Sequence, residues 1–194
     1  MITVLSPLSG RVLPLADVPD PVFAQGMVGA GVAVEPRVGA GTPASPTIAA
    51  ESSSADAAQR ATATAAAPFP DLADEAGTDE AGQPVIGEIA TAPISGRLMK
   101  AFPHAYILQG EVDVLVHLGI DTVSLEGAGF ELLVEEGTEV AAGTPIIRWD
   151  PEYVASRGRP PMVLVVVPGL RVEDLDVGTR GRLVAAGDPL FDVP

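Results

Sequence analysis

The 194-residue sequence contains no cysteine, which removes disulfides, thiolate nucleophiles and cysteine-ligated metals from consideration. It has two histidines. With Asp121 they could form half a metal site, but zinc hydrolases use three protein ligands and an open water position, and no HExxH-type pair is present. No metal is expected. Long apolar runs are also missing: the longest near the C-terminus, Val163 to Val167, falls far short of the roughly 20 residues a membrane helix needs. Basic residues are scarce, 11 Lys+Arg against 26 Asp+Glu, for a formal net charge of −15. Without a Lys/Arg cluster to neutralise phosphates, nucleic acid is excluded as a partner. The N-terminus lacks the basic and long apolar regions of a signal peptide. The expectation is a cytoplasmic protein that does not itself span a membrane.

Glycine (21) and proline (19) are plentiful, a punctuation that favours short strands and turns over long helices. Residues 1–37 read as short apolar strands. From about 38 to 83 the chain turns to Ala, Ser, Thr, Pro and acidic residues, with no sustained amphipathic period, and reads as a flexible loop. Strand-like segments return from Pro84. The ordered parts repeat: Ser6-Pro7-Leu8-Ser9-Gly10-Arg11-Val12 matches Ala92-Pro93-Ile94-Ser95-Gly96-Arg97-Leu98. The turn-and-strand piece Gly137–Ile146 is echoed by Thr179–Leu190. Paired repeats within one chain point to duplication. The expected fold is all-β, a pseudo-symmetric antiparallel β-sandwich or distorted barrel forming a single domain over 1–194, interrupted by the 38–83 loop. A helical turn is expected at Pro19-Asp20-Pro21-Val22-Phe23, and nothing else argues strongly for helix.

The two histidines sit close in sequence. Val112, Val114, Val116 and Leu118 alternate along one strand, so Asp113, Leu115 and His117 occupy its other face. His104 to Leu108 forms a second candidate strand. A two-residue turn at Gly110-Glu111 sets His104 opposite His117, and one at Gln109-Gly110 makes them diagonal neighbours. A three-residue loop shifts the register and separates the rings. Neighbouring neutral imidazoles could act jointly, one attacking phosphorus while the other donates to a phosphoryl oxygen. Spacing alone does not distinguish that pair from two unrelated surface histidines.

Several further segments carry a resemblance. They are Ser6-Pro7-Leu8-Ser9-Gly10, Asp17-Val18-Pro19-Asp20-Pro21-Val22-Phe23, Met27 to Pro36, Ala92-Pro93-Ile94-Ser95-Gly96, His104-Ala105, His117-Leu118-Gly119-Ile120-Asp121-Thr122-Val123, and Glu126 to Phe130. In this order the chain resembles the glucose-type enzyme IIA family of the bacterial phosphoenolpyruvate-dependent sugar phosphotransferase system. The resemblance implies a β-sandwich with a shallow active face and a phosphotransferase role without a cofactor. It implies that His117 is phosphorylated on Nε2 and that His104 contacts the phosphoryl group. It implies donation by the phosphocarrier HPr and onward transfer to a IIB or IIBC sugar transporter. Asp20 and Asp121 match acidic positions that meet partner arginines. Val22, Phe23, Val28, Phe102, Leu115 and Leu118 match the apolar docking rim. The chain departs from the family pattern where Phe102-Pro103 runs straight into His104, without an intervening threonine.

Two other function classes compete. Met99-Lys100 and the Gly/Pro-rich turns resemble biotinyl and lipoyl carrier modules, which present a lysine on a hairpin, although Lys100 follows the Ser-Gly turn closely. A non-catalytic regulatory binding protein is the other alternative.

Overall fold

Short runs of Val, Ile, Leu and Ala, each stopped by a Gly- or Pro-bearing turn, produce a fold made almost wholly of brief strands. The computed structural model describes residues 1–37, 77–78, 82, 84–85, 87–175 and 181–194. The segment read as a loop at 38–83 therefore lies outside the described residues, apart from Gly77, Thr78 and Gly82.

The N-terminal part contains β1 (Ile2–Leu5), β2 (Gly10–Pro14), helical turn α1 (Pro21–Ala24) and β3 (Gly29–Pro36). A two-residue pair, β4 (Gly77–Thr78) and β5 (Pro84–Val85), precedes β6 (Glu88–Thr91), β7 (Gly96–Phe102), β8 (Ala105–Gln109) and β9 (Asp113–Leu118). Then come β10 (Phe130–Leu132), β11 (Glu139–Val140), β12 (Pro145–Trp149), α2 (Pro151–Ser156), β13 (Val163–Pro168), β14 (Leu183–Val184) and β15 (Pro189–Val193).

The main sheet has eight strands in the order β11-β7-β8-β9-β13-β3-β2-β14, with smaller sheets β10-β12-β6 and β1-β15 beside it. Every pairing among them is antiparallel. The large sheet ends at β11 and β14 and does not close. Of the two expected architectures, the open sandwich is the one observed.

The internal repeat is structural. Val140 pairs with Gly96 at one edge of the sheet and Val184 with Gly10 at the other. The amide of Ala142 donates to the Ser95 hydroxyl at 2.9 Å, and that of Ala186 donates to the Ser9 hydroxyl at 3.1 Å. Leu5 N–H bonds Pro93 O and Thr91 N–H bonds Pro7 O, both at 2.9 Å, so the two Pro-turn-Gly units clasp each other. Short strands β11 and β14 survive because these turn contacts hold them, which two-residue pairings could not do alone.

The sheet has two apolar faces. Val12, Val32, Val34, Val114, Val116, Leu118, Val163 and Val165 point into the main core with Tyr106, Phe130 and Trp149. On the reverse face Leu15, Val18, Ala33, Ile120, Leu164 and Val166 form a smaller cluster, covered by the segment that carries α1 and by Phe23 and Val28. The expected helical turn thus forms, with the Asp20 carboxylate capping it by accepting from the amides of Val22 and Phe23. A second helix was not anticipated. Asp150 caps α2 through the Tyr153 amide at 2.8 Å, with Pro151 at the first helical position, the same Asp-Pro start signal as at Asp20-Pro21.

Gly10 and Gly96 occupy equivalent places in the two halves. An added Cβ would lie 2.4 Å from the Glu35 carbonyl oxygen at Gly10 and 2.3 Å from that of Gln109 at Gly96. Gly10→Ala and Gly96→Ala are each expected to cost about 1–3 kcal/mol, as overpacking against backbone does. Urea denaturation midpoints check this; near-wild-type values for both variants would refute the close approach.

Candidate functional site

His117 reaches the reverse face of β9 by strand alternation. Val114, Val116 and Leu118 are fully buried in the main core, while Asp113, Leu115 and His117 are exposed or half-buried. Its cross-strand neighbours are Ala105 and Leu164, both buried, so the ring rises from a packed floor at the margin of the smaller apolar cluster.

His104 arrives by a different route from the one expected. Gln109 pairs with Asp113 and Ala105 with His117, so Gly110, Glu111 and Val112 form a three-residue loop. That is the register expected to separate the rings. They nevertheless meet, with centroids 5.1 Å apart in an edge arrangement. The reason is that His104 is not on a strand. Phe102 pairs with Ala105, leaving Pro103 and His104 as a two-residue turn in which Pro103 supplies a preset φ. Strand parity does not govern a turn residue, so the ring folds over onto the His117 face. It also stacks on Phe102, with centroids 6.2 Å apart.

The polypeptide after β9 sets the chemistry of His117. Nδ1 lies 2.8 Å from the Gly119 carbonyl oxygen. A carbonyl only accepts, so Nδ1 carries the proton, and in the neutral ring the lone pair is then on Nε2. Gly119 has φ +74°, and a Cβ there would meet Thr122 Cγ2 at 2.4 Å. Asp121 is also left-handed, with φ 56°. This turn is pinned by the Thr122 hydroxyl donating to Leu118 O at 2.7 Å. The amides of Gly119 and Ile120 donate to Met162 O and Pro160 O, each at 2.9 Å. Besides Nε2, then, the backbone defines the orientation of the ring.

Burial lowers the pKa of His117 from its ordinary value, against the opposing pull of the Gly119 bond and of the charges on Asp20 and Asp121. His104 is pushed down to about 4, mainly by burial and then by the charge that His117 can carry. Both rings are therefore neutral at pH 7, the state a nitrogen nucleophile requires.

A cavity of about 110 Å³ lies beside His117, lined by Asp20, Phe23, His117, Ile120, Asp121 and Val123. Phe23 packs tilted against His117, with centroids 5.7 Å apart. Val22 (44 %) and Phe102 (49 %) are exposed, whereas Phe23, Val28 and Leu115 are half-buried. Leu118 is not part of this surface. It has 0 % exposure because it shares strand parity with the core valines, which corrects its assignment to the rim. Val123, 67 % exposed and lining the cavity, was missed even though it closes the signature heptapeptide. Asp121, expected to meet a partner's arginine, already faces Arg159 at 3.4 Å, a contact that no local motif signals.

Lys100 lies within β7, beside a register shift, and is ion-paired with Glu136 at 3.0 Å. It is not displayed at a hairpin tip as a carrier lysine would be. Among the described residues no group of three or more His, Asp or Glu is arranged to hold a metal ion, and no helix is long and apolar enough to cross a membrane.

The family model for the phosphoenolpyruvate-dependent sugar phosphotransferase system, EIIA 1, matches residues 2–62 and 77–171. The chain is 31% identical over 194 residues to the N-acetylglucosamine-specific EIICBA component of the PTS system of Escherichia coli (strain K12), covering 97% of this chain but 22% of that protein. It is 28% identical over 191 residues to the glucose-specific EIIA component of Staphylococcus epidermidis (strain ATCC 12228 / FDA PCI 1200), covering 93% and 86% respectively. Among solved structures, glucose permease IIA from Mycoplasma capricolum superposes with a TM-score of 0.63 at 27% identity, covering 98% of this chain and 94% of that one.

The depressed histidines make stability pH-dependent in a definite direction. Between pH 6.5 and about 4 the unfolded chain binds protons that the folded His104 refuses, so stability falls as pH drops through that window. His104→Gln is expected to flatten the slope there. Denaturant midpoints from pH 4 to 8 measure it; an unchanged slope in the variant would contradict the buried neutral ring.

Proposed function

Since the chain belongs to the phosphoenolpyruvate-dependent sugar phosphotransferase system EIIA 1 family, we propose that it carries a phosphoryl group on His117 Nε2, between a phosphohistidine donor and a sugar transporter. The observation that carries this reading is the Nδ1···O contact to Gly119. It leaves Nε2 as the nucleophilic nitrogen of a neutral ring.

The donor in this reading is the phosphorylated form of HPr. Nε2 attacks phosphorus in line; the P–N bond to the donor imidazole breaks, and its electron pair returns to the donor nitrogen. The proton on His117 Nδ1 stays in place. Positive charge that develops in the ring as the new P–N bond forms is met by the Gly119 carbonyl. The same proton favours the reverse polarity in onward transfer. When a IIB cysteine thiolate attacks phosphorus, the P–N electron pair returns to a ring that leaves as neutral imidazole. His104, neutral and beside the first ring, donates a hydrogen bond to a phosphoryl oxygen. Such transfer demands positioning and charge stabilisation more than covalent assistance.

Val22, Phe23, Val28, Phe102, Leu115 and Val123 form the docking rim in this reading, with Asp20 and Asp121 at its polar margin. The acceptor is a IIB or IIBC component, in keeping with the fusion of such parts in the N-acetylglucosamine-specific EIICBA relative. Residues 1–194 act as one cytoplasmic domain.

Incubation with labelled phosphoenolpyruvate, enzyme I and HPr is expected to put one acid-labile phosphoryl group on the chain, and His117→Gln to abolish it. Label of undiminished amount on His117→Gln would overturn the assignment. His104→Gln is expected to accept label from HPr yet donate it onward at least tenfold more slowly, the scale on which a removed transition-state donor acts. Sugar phosphorylation at the wild-type rate would remove His104 from the mechanism.

A further inference from the structure

The cavity beside His117 is lined by two carboxylates, Asp20 and Asp121, and its lining contains no cation. A phosphoryl group placed there brings a further charge of about −1.5 to −2, in a chain whose formal net charge is already −15. Without a positive group nearby, loading His117 would be opposed by like charge on two sides.

Arg159 stands at this point. Its guanidinium faces Asp121 with Nη1 to Oδ2 at 3.4 Å, and the two side chains are 35% and 67% exposed. That separation is long for a charge-assisted bond, and an exposed pair of this kind is easily opened. Its backbone, by contrast, is held. The Arg159 amide donates to Val154 O at 3.2 Å, and the next residues strap onto the catalytic turn through Pro160 O and Met162 O. Pro160 further restricts residue 159 to extended backbone. A fixed base with a movable, planar, two-pronged cation suits a phosphoryl group better than a carboxylate held at one point. Neighbouring arginines have other contacts: Arg157 lies over the Tyr153 ring at 4.8 Å, and Arg148 is buried against Glu131.

We propose that Arg159 is the site's own counter-cation, resting on Asp121 while His117 is bare and turning to the phosphoryl oxygens once His117 is loaded. It contacts the transferred group directly and is supplied by this chain, not by the donor or acceptor protein. This rests on the reading of His117 as the phosphorylated residue.

The test uses the full chain with enzyme I, HPr and phosphoenolpyruvate, comparing wild type with Arg159→Gln, Arg159→Lys and Asp121→Asn. Rapid-quench kinetics separates kcat from KM for phosphoryl acceptance, and a 31P NMR pH titration reads the phosphoryl group directly. Arg159→Gln is expected to lower kcat at least tenfold, as loss of one transition-state donor does, and to raise the pKa of the bound phosphoryl group. Arg159→Lys should restore most of kcat. Asp121→Asn, which releases Arg159, should lower the phosphoryl pKa. An Arg159→Gln protein with wild-type kcat and an unmoved 31P titration overturns the proposal. So does a lower KM with unchanged kcat, the result if Arg159 merely shields Asp121 from a partner's cations. Should Arg159→Gln fail to fold, the 31P titrations of Arg159→Lys and Asp121→Asn decide, and two curves superposed on wild type refute it. A wild type that takes no label overturns the His117 reading and this one together, whereas a labelled wild type with an indifferent Arg159→Gln overturns this one alone.

Discussion

One hydrogen bond, from His117 Nδ1 to the Gly119 carbonyl, decides what the site can do. It selects the tautomer, and the tautomer selects the nucleophilic nitrogen. A bond between residues two apart in sequence is possible only if the chain turns sharply after β9, and that turn runs through left-handed Gly119 and Asp121. Thr122, buried with 0 % exposure, closes the turn through its hydroxyl instead of exposing it to water. Leu118 to Thr122 therefore make one mechanical unit. Its foundation is the segment at Pro160 to Met162, whose carbonyls receive the amides of Gly119 and Ile120. An aliphatic side chain at 119 would have to displace Thr122, and the ring orientation would go with it.

The sheet provides the electrostatic half. A histidine on a fully solvated strand face would keep its ordinary pKa, and a good part of it would be protonated at mildly acid pH. Here the face is not fully solvated: the cluster of Leu15, Val18, Ile120, Leu164 and Val166 under the α1 segment dries it. Burial is the largest influence on both rings. The Gly119 bond and then the Asp20 and Asp121 charges pull His117 the other way, whereas the charge that His117 can carry pushes His104 further down. The same apolar cluster thus seats α1, with its cap and Phe23, and keeps the His117 ring neutral.

Much of this was legible from residue order. Strand alternation puts His117 across from the core valines, and the paired Pro-x-Ser-Gly pieces announce the two halves that clasp through Pro7 and Pro93. The same alternation contains the correction to Leu118, whose parity is that of buried Val116 and not that of Leu115. The hairpin register stays open in the sequence because a two-residue turn at Gly110 and a three-residue one are near-equal choices for Gln-Gly-Glu-Val, and the structure takes the three-residue one. The rings meet anyway, since Pro103 removes His104 from strand parity altogether. α2 announces itself by Asp150-Pro151 but spans only six residues, too few for a periodic apolar pattern. The Arg159–Asp121 contact joins residues 38 apart, and no local pattern encodes such a distance.

In the proposed role, His117 faces opposed demands. It must be buried enough to stay neutral and held enough to aim, yet reachable by two different macromolecules. The arrangement here separates these demands by atom. Nδ1 is spent inward on Gly119, Phe23 and His104 pack against the ring, and Nε2 is the polar atom left for chemistry. Access is then a matter of the rim, where Val22, Phe102 and Val123 remain exposed around a shallow cavity. On the proposed reading, a shallow apolar contact at this rim limits affinity, which suits a carrier because turnover among partners depends on release as much as on encounter. On the same reading, the turn beneath His117 offers a weakly held partner a ring nitrogen that is already aimed.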